Sequence, residues 1–385
     1  MNNEICSVDL CTSCYACVEK CQFDAIILNE QKDGRIIPQI DSTKCTNCGA
    51  CKRVCPNQNV VKLNEIKTCY AAQRKDKQER LSSSSGGLAA LLYEHYIKNK
   101  NGLTVGAVIN SGLDVNLQCE NCIEGIDRFK TSKYVFADSS KIYSKVKAEL
   151  LAGKEIVFIG TPCQVAALRN YLGKDFSNLL CVDLICHGTS PATYLKQHIR
   201  KIDRQADNYS FRGGDKDKVL RVYENKKQKY SRDWWKDSYF WSFMQGLILS
   251  ENCYHCRYAQ CLRTGDLTIG DFWGLNRKTL TSPMTDRISI LFVNTEKGQH
   301  IVSEIENDLL LEKRDVNEAI QGNRSLREPS SESPYRVDFL KQYYSTGSFD
   351  KSFHDSSAHS AFVKFGRKRS IPGKILNKIH GLFRR

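Results

Sequence analysis

Cysteine spacing near the start of the chain is the first feature that points to chemistry. Eight cysteines form two runs with the same C-x2-C-x2-C-x3-C spacing, which are Cys11, Cys14, Cys17 and Cys21, and then Cys45, Cys48, Cys51 and Cys55. This is the ligand pattern of bacterial two-cluster ferredoxins, in which the fourth cysteine of each run binds the other cluster. We therefore predict two [4Fe-4S] clusters, the first on Cys11, Cys14, Cys17 and Cys55 and the second on Cys45, Cys48, Cys51 and Cys21.

Zinc is the alternative occupant of such thiols. Structural zinc sites use separated C-x2-4-C pairs with four ligands per ion, whereas each run here holds four cysteines within eleven residues. The runs therefore favour clusters. One departure from the pattern is that Cys21 is followed by Gln22, while Cys55 is followed by the expected Pro56. This departure changes a local turn and removes no ligand.

Four more thiols are candidates for a further metal site: Cys163, Cys186, Cys253 and Cys256. Cys163 follows a predicted strand in GTPCQ, and Cys186 closes the next predicted strand in DLICHG. If these strands are parallel neighbours, both thiols emerge at the carboxyl edge of the sheet, where α/β proteins place ligands. The Cys253-x2-Cys256 pair would complete a four-thiolate site, with Cys261 as a fifth candidate. The alternative is a mixture of buried thiols and one exposed C-x2-C pair.

The remaining cysteines carry weaker patterns. Cys6, Cys69, Cys119 and Cys122 are interpreted as free thiols, because a metal site at the lone Cys119-x2-Cys122 would need two more ligands nearby. Cys181 lies inside a predicted strand, where a cysteine acts as a small apolar core residue.

A Ser/Gly run at 82–87, SSSSGG, leads directly into a predicted helix. Backbone N–H groups at a helix N-terminus, together with hydroxyls and glycines, make an anion site suited to phosphate. The alternative is a flexible loop. Lys133 and Tyr134 in SKY are similarly ambiguous, and His187 is either a proton carrier near a redox site or a structural residue.

The elements that must position these residues alternate between strand and helix patterns. Strands are predicted at 104–110, 155–160, 178–186, 266–273 and 288–295, and helices at 88–97, 140–153, 164–172, 192–202 and 233–249. A strand pair turning at Asp33-Gly34 separates the two cysteine runs, and 219–230 is predicted to form a hairpin. Residues 69–87 are interpreted as a polar connection, and 313–360 has no clear pattern. Strands alternating with helices indicate a parallel βαβ unit.

These patterns predict an α+β fold in which a ferredoxin-like two-cluster domain is followed by a larger mixed α/β domain. The predicted boundaries are 1–62 for the ferredoxin-like domain and 63–330 for the larger domain. Residues 331–385 form a polar segment and a basic tail.

Composition narrows the class of protein. The 385 residues include 18 cysteines, almost 5% of the chain, which is below the roughly 8–10% of small disulfide-stapled secreted chains. The start of the chain shows no signal-peptide pattern, and no run approaches the ~18 apolar residues of a membrane span. We expect a cytoplasmic protein whose cysteines serve metal or redox chemistry.

The formal net charge of +14 is concentrated at the C-terminus. Residues 361–385 hold eight Lys or Arg and no acid, which leaves +6 for the rest, and cluster thiolates would lower that further. We therefore expect no nucleic-acid partner. The segment IPGKILNKIHGLF is either a short amphipathic helix on the inner face of an anionic membrane or a solvated tail.

Several motifs then occur in order: the double cysteine run, SSSSGGLAALLYEHYI, SKYV, VFIGTPCQVAALR, VDLICHGTSP and CYHCRYAQCLRTGDLTIGDFWG. Over roughly residues 5–300 the chain resembles the family of coenzyme F-420 hydrogenase/dehydrogenase beta subunits. It is most similar to bacterial members that carry an N-terminal ferredoxin domain and are often associated with polysaccharide gene clusters.

The resemblance implies an FAD-binding iron–sulfur oxidoreductase. It implies a third [4Fe-4S] cluster on Cys163, Cys186, Cys253 and Cys256, with Cys261 in reserve. It also implies that the Ser/Gly run cradles the FAD pyrophosphate, with Ser85, Gly86 and Gly87 as contacts, and that Lys133 meets the flavin or a phosphate.

Two functions follow from this resemblance. The favoured one is a flavin-dependent reductase or dehydrogenase that exchanges hydride with a small-molecule donor or acceptor. The alternative is an electron-transfer subunit that feeds a partner protein and has no substrate chemistry of its own. The substrate, the electron donor and the direction of electron flow are left open.

Overall fold

The computed structural model describes residues 4–370. The α-helices are α1 (Ala16–Lys20), α2 (Ala50–Val54), α3 (Lys77–Ser82), α4 (Leu88–Lys100), α5 (Ile142–Leu151), α6 (Pro162–Leu172), α7 (Ala192–Ile202), α8 (Ser238–Met244), α9 (Glu251–Tyr254), α10 (Glu296–Ile305), α11 (Val316–Gly322), α12 (Arg336–Thr346), α13 (Phe349–Asp355) and α14 (Ser357–Ser370). The strands are β1 (Ile26–Glu30), β2 (Ile36–Ile40), β3 (Thr68–Arg74), β4 (Leu103–Ile109), β5 (Val115–Glu120), β6 (Ala137–Asp138), β7 (Ile156–Gly160), β8 (Leu179–Leu184), β9 (Asn208–Ser210), β10 (Val219–Glu224), β11 (Lys227–Asp233), β12 (Leu267–Asp271), β13 (Ser289–Val293) and β14 (Leu309–Arg314).

The N-terminal module repeats its backbone as well as its cysteine spacing. α1 follows Tyr15 (φ 60°) and α2 follows Gly49 (φ 71°), so both helices begin after a residue in the left-handed region. Both helices end at the fourth cysteine of their run, Cys21 or Cys55, in extended conformation. Between the helices, β1 and β2 form the expected antiparallel pair. The α+β architecture with a ferredoxin-like N-terminal module is thus confirmed.

The larger part of the chain is built on a mixed sheet. Its strand order within the described residues is β14-β3-β13-β12-β8-β7-β4-β5-β6. The central pairs β4·β7, β7·β8 and β8·β12 are parallel, which confirms the predicted βαβ unit. Helices connect these strands, so their carboxyl ends meet at one edge of the sheet.

Alternation along β7 shows how both faces of the sheet are covered. Ile156 and Phe158 pack in the core that contains α5 and α6, whereas Val157 and Ile159 pack in the core that contains α4 and α10. Since successive side chains of a strand point to opposite faces, the apolar run of β7 is that of a strand buried on both sides.

Two sequence interpretations were wrong. Residues 69–87 are not simply a polar connection, because β3 pairs with both β13 and β14 and buries Ala71 and Ala72 completely. The helix predicted at 233–249 is short: β11 extends to Asp233, and α8 begins only after Asp237, whose carboxylate accepts the N–H of Phe240.

The region without a clear sequence pattern, 313–360, contains α11, α12 and α13. The last two helices pack with α7 and α8 in an aromatic core that includes Phe339 and Phe349. No helix between residues 4 and 370 has the length and apolar character needed to cross a bilayer. The predicted tail segment IPGKILNKIHGLF lies outside the described residues.

Candidate redox site

The structure brings together the four thiols predicted for the first cluster, Cys11, Cys14, Cys17 and Cys55. Cys14 and Cys17 are buried. Burial, more than the neighbouring thiols, raises the pKa of Cys14 to about 12. Thiolates grouped and buried in this way are stable only beside a compensating positive charge, so the donor set fits an iron–sulfur cluster.

Cys6, interpreted from sequence as a free thiol, packs against the core that contains Cys14, Cys17 and Cys55 and lies close to the sulfurs of Cys11 and Cys55. The nearby Cys6 thiol lowers the pKa of Cys55 to about 6 against the opposing effect of burial, and the N–H groups of Asn57 and Gln58 assist. The sequence did not indicate that Cys6 lies beside Cys11 and Cys55, because Cys6 stands outside the repeated spacing.

The thiols predicted for the second cluster lie nearer the surface. Cys45 and Cys48 both act electrostatically on Cys51, whose pKa is raised chiefly by burial. Cys48 is exposed. Cys21 ends α1, which packs directly against α2. The assignment of Cys21 to this cluster remains a prediction.

The four thiols from the larger part of the chain converge. Cys163, Cys186, Cys253 and Cys256 all act electrostatically on one another. β7 and β8 are parallel neighbours as predicted, so Cys163 in the first turn of α6 and Cys186 just beyond β8 reach the same edge of the sheet. Burial, then the proximity of the other thiols, raises the pKa of Cys163 well above its usual value.

Polar groups lie at hydrogen-bonding distance from two of these four sulfurs. The backbone N–H of Thr189 donates to Cys253 Sγ at 3.4 Å, and the amide of Asn252 donates to the same sulfur at 3.7 Å. The Thr161 hydroxyl lies 3.1 Å from Cys163 Sγ. Hydrogen bonds to sulfur stabilise thiolates and tune the clusters that they bind.

Across residues 4–370, no three His, Cys, Asp or Glu side chains converge tightly enough to ligate a single metal ion. A [4Fe-4S] core is several atoms wide and holds its thiolates farther apart than one ion does. The wider grouping of these thiols is compatible with such a core.

The other cysteines lie apart in the fold. Cys181 is buried within β8, as predicted for a core residue, and Cys69, interpreted only as a free thiol, is buried within β3. Cys119 is half-buried in β5, and Cys122 and Cys261 are exposed.

A cavity of about 310 Å³ opens at the carboxyl ends of β7, β8 and β12. Its walls include all four thiols of the convergent group, the serine run and Lys133. Thr12 and Cys14 of the N-terminal module also line it. The cavity therefore touches the first predicted cluster as well as the third.

Two of the three residues predicted to cradle the pyrophosphate line the cavity, and the third does not. Ser85 and Gly87 line the cavity, and α4 begins directly after Gly87, so its first N–H groups lack intrahelical partners. Gly86 instead lies against the sheet, where a Cβ would come within 2.5 Å of the Ala72 carbonyl. Its N–H already donates to Ser289 Oγ at 2.8 Å, so Gly86 shapes the loop by close packing.

Lys133 is one of the residues that line the cavity. Its Nζ donates to the carbonyls of Arg128, Phe129 and Lys130 at 3.1, 3.0 and 2.8 Å, capping the 3₁₀ helix Ile123–Arg128. Burial lowers the pKa of Lys133 to about 7. Because its acceptors are carbonyls and not carboxylates, the ammonium form carries a positive charge available to an anionic ligand.

Sequence reasoning did not single out a buried ion pair in the same wall. Arg212 donates to both carboxylate oxygens of Asp271 at 2.9 and 3.0 Å and to the Tyr134 hydroxyl at 2.9 Å. Burial alone would raise the pKa of Asp271, but Arg212 holds it below the usual range. The only sequence signal was the position of Asp271 in the GDFWG motif.

His187 also lines the cavity. Its Nε2 lies 3.2 Å from the Phe243 carbonyl, and its Nδ1 lies 3.3 Å from Ser330 Oγ. Burial lowers the pKa of His187. Both ring nitrogens face protein groups, which favours a structural role for this residue.

Two parts of the chain match known protein families. Residues 153–319 match the C-terminal family of the coenzyme F420 hydrogenase/dehydrogenase beta subunits, and residues 10–59 match the 4Fe-4S dicluster domain. One subunit of the F(420)H(2) dehydrogenase from Methanosarcina mazei is 23% identical over 177 residues, which are 43% of this chain and 49% of that relative. The chain thus spans about half the length of this relative.

A solved structure, that of the F420-reducing [NiFe] hydrogenase complex from Methanosarcina barkeri, contains a chain that is 17% identical to this one. The superposition has a TM-score of 0.44 and covers 75% of this chain and 91% of the other.

Proposed function

Because the chain belongs to the family of coenzyme F420 hydrogenase/dehydrogenase beta subunits, we propose that it is an iron–sulfur flavoprotein oxidoreductase. In this proposal the N-terminal module carries two [4Fe-4S] clusters, and the cavity holds FAD beside a third. The observation that carries it is the convergence of Cys163, Cys186, Cys253 and Cys256 on one cavity, together with the serine run, Lys133 and Cys14.

A bound flavin exchanges hydride as an electron pair, whereas iron–sulfur clusters exchange single electrons. Residues of this chain would bind both the flavin and the clusters. The N-terminus of α4, with Ser85 and Gly87, would bind the pyrophosphate through N–H groups and the helix dipole. Lys133 would add a positive charge, and Arg212, which pairs with both Asp271 and Asp217, would keep the adjoining wall rigid.

The N-terminal module supports a route to a protein partner. Cys48 is exposed, so the second predicted cluster lies where a docking redox protein can approach it. The alternative function, an electron-transfer subunit without substrate chemistry, rests on this exposure. The open cavity supports the favoured function, in which a small-molecule hydride donor or acceptor, a deazaflavin or a nicotinamide, meets the flavin.

Anaerobic purification of the full chain, with iron, sulfide and flavin measured per chain, tests the proposal. We expect about twelve irons and sulfides, since each [4Fe-4S] cluster holds four, and about one FAD. About eight irons without flavin would overturn the assignment of the cavity and leave only the two-cluster module.

Reduction of the purified protein separates the two functions. Bleaching of the flavin absorbance by reduced nicotinamide or reduced deazaflavin, with no partner present, would support the reductase or dehydrogenase. If only a reduced one-electron carrier protein reduces the chain, the electron-transfer subunit is the better description.

A further inference from the structure

Tyr143 is a buried tyrosine in the first turn of α5, on the surface that meets the N-terminal module. Its exposed fraction is 0%, and its hydroxyl has no hydrogen-bond partner among residues 4–370. Buried polar groups are almost always hydrogen-bonded, so an unpartnered hydroxyl indicates an acceptor that the protein atoms do not supply.

The groups around this hydroxyl identify the kind of acceptor. Tyr143 packs in the same buried core as Cys14 and Cys17, and Cys14, Cys163 and Glu19 are the charged groups that act on its hydroxyl. Ser139 is a polar neighbour, but no bond of hydrogen-bonding geometry joins it to the hydroxyl.

Both nearby oxygen groups bond other partners, and neither meets the Tyr143 hydroxyl in hydrogen-bonding geometry. The Glu19 carboxylate accepts the backbone N–H groups of Tyr143 and Ser144 at 3.4 and 2.8 Å. Ser139 Oγ accepts from the amide of Gln164 at 3.1 Å. Sulfur on the Cys14 side is the remaining acceptor.

We propose that the Tyr143 hydroxyl donates a hydrogen bond to sulfur of the cluster ligated by Cys14, and that this bond raises the reduction potential of that cluster. Reduction adds negative charge to the cluster sulfurs, so a donor stabilises the reduced form more than the oxidised form. In this role Tyr143 is not a cluster ligand but changes the reduction potential of the cluster. The inference rests on the iron–sulfur part of the proposed function.

Tyr258 is a matched control, because it lies near two of the same sulfur groups. Its hydroxyl also lies near Cys14 and Cys163 and is buried, but it donates to the Pro56 carbonyl at 2.8 Å. Replacing either tyrosine by phenylalanine removes one hydroxyl and keeps the ring. Only the Tyr143→Phe change is expected to remove a donor to sulfur.

The experiment uses the full chain, purified anaerobically as wild type, Tyr143→Phe and Tyr258→Phe. Each protein is titrated with dithionite while the reduced clusters are followed by electron paramagnetic resonance, and iron is counted in each. We expect Tyr143→Phe to keep its iron and to shift the midpoint potential of one cluster to a more negative value. Tyr258→Phe should leave that potential unchanged.

Equal midpoint potentials in wild type and Tyr143→Phe would overturn the inference, and so would equal shifts in both variants. If Tyr143→Phe loses iron, the Fe–S stretching frequencies of the wild type are compared in H₂O and in D₂O. A frequency shift that appears only after slow deuterium exchange of a buried donor supports the bond, and identical frequencies contradict it. Failure of the proposed function is distinguishable, since the wild type would then show no reducible cluster.

Discussion

The side-chain carboxylate of Glu19 in α1 accepts a hydrogen bond from the backbone N–H of Ser144 in α5 at 2.8 Å. A residue of the cysteine module thus closes the N-terminus of a helix in the larger part of the chain, where a negative charge also complements the helix dipole. This contact helps to hold the module beside the cavity.

Loss of this contact is expected to loosen the module. Glu19→Ala should lower the free energy of unfolding by about 1 kcal/mol, as for other lost helix caps, and should speed proteolytic cleavage between the module and the rest of the chain. Thermal unfolding and limited proteolysis measure both effects. Glu19→Gln keeps an acceptor and should lose less, so equal losses in the two variants would contradict a capping role.

The third cluster is testable by counting iron. Cys163→Ala removes one of four converging thiols and should cost about four of about twelve irons per chain. Cys181→Ala is the control, because Cys181 is a buried cysteine of the adjoining strand that faces the core containing α5 and α6. A full iron content in Cys163→Ala, or the same loss in Cys181→Ala, would remove Cys163 from the ligand set.

Substitution of Cys6 tests whether this cysteine is a cluster ligand or only a neighbour of the ligands. Because the Cys6 thiol lies close to the sulfurs of Cys11 and Cys55 but outside the repeated spacing, Cys6→Ala should retain all the iron and shift one cluster to a lower midpoint potential. Cys11→Ala should lose a cluster. Iron counts and redox titration of the two variants decide between these roles, and an equal iron loss would make Cys6 a ligand.

The lowered pKa of Lys133 predicts that flavin binding depends on pH. Its pKa of about 7 means that the ammonium, which attracts phosphate, is lost as the pH rises through 7. The affinity of the flavin-free protein for FAD should therefore weaken above pH 7, by at most about tenfold per pH unit because one proton is linked. Fluorescence titration with FAD from pH 6 to 9 measures this.

Two variants control for other ionisations. Lys133→Arg keeps its charge throughout this range, and Lys133→Met has none, so both should bind FAD with little pH dependence, the first more tightly than the second. A wild-type slope that persists in Lys133→Met would assign the titration to another group.

The Arg212–Asp271 pair is expected to stabilise the cavity wall only as a pair. Arg212→Ala leaves a buried carboxylate without its partner and should cost about 3–5 kcal/mol of unfolding free energy. The double variant Arg212→Ala with Asp271→Asn removes the more buried of the two carboxylates that Arg212 pairs with, the other being Asp217, and should recover part of that loss. Denaturant unfolding of the three proteins checks this, and no recovery in the double variant would count against the pairing.

Much of the redox chemistry follows from local sequence. The spacing of Cys11, Cys14 and Cys17 lets three thiols of one tight turn face a common centre, and the repeat at Cys45 follows the same rule. The apolar run of β7 and the cysteine after it likewise predicted a thiol at the edge of a parallel sheet. Such features depend on contacts between residues close in sequence or on a strand's own pattern.

The tertiary structure alone decided which distant groups meet. The sequence could not show that β3 is a buried strand, because its place between β13 and β14 is set by pairing with segments about two hundred residues away. Nor could it show that Tyr143 and Tyr258 lie beside Cys14, or that Arg212 binds Asp271. A side chain's partner across a domain boundary depends on how whole elements pack, and no short-range periodicity records that packing.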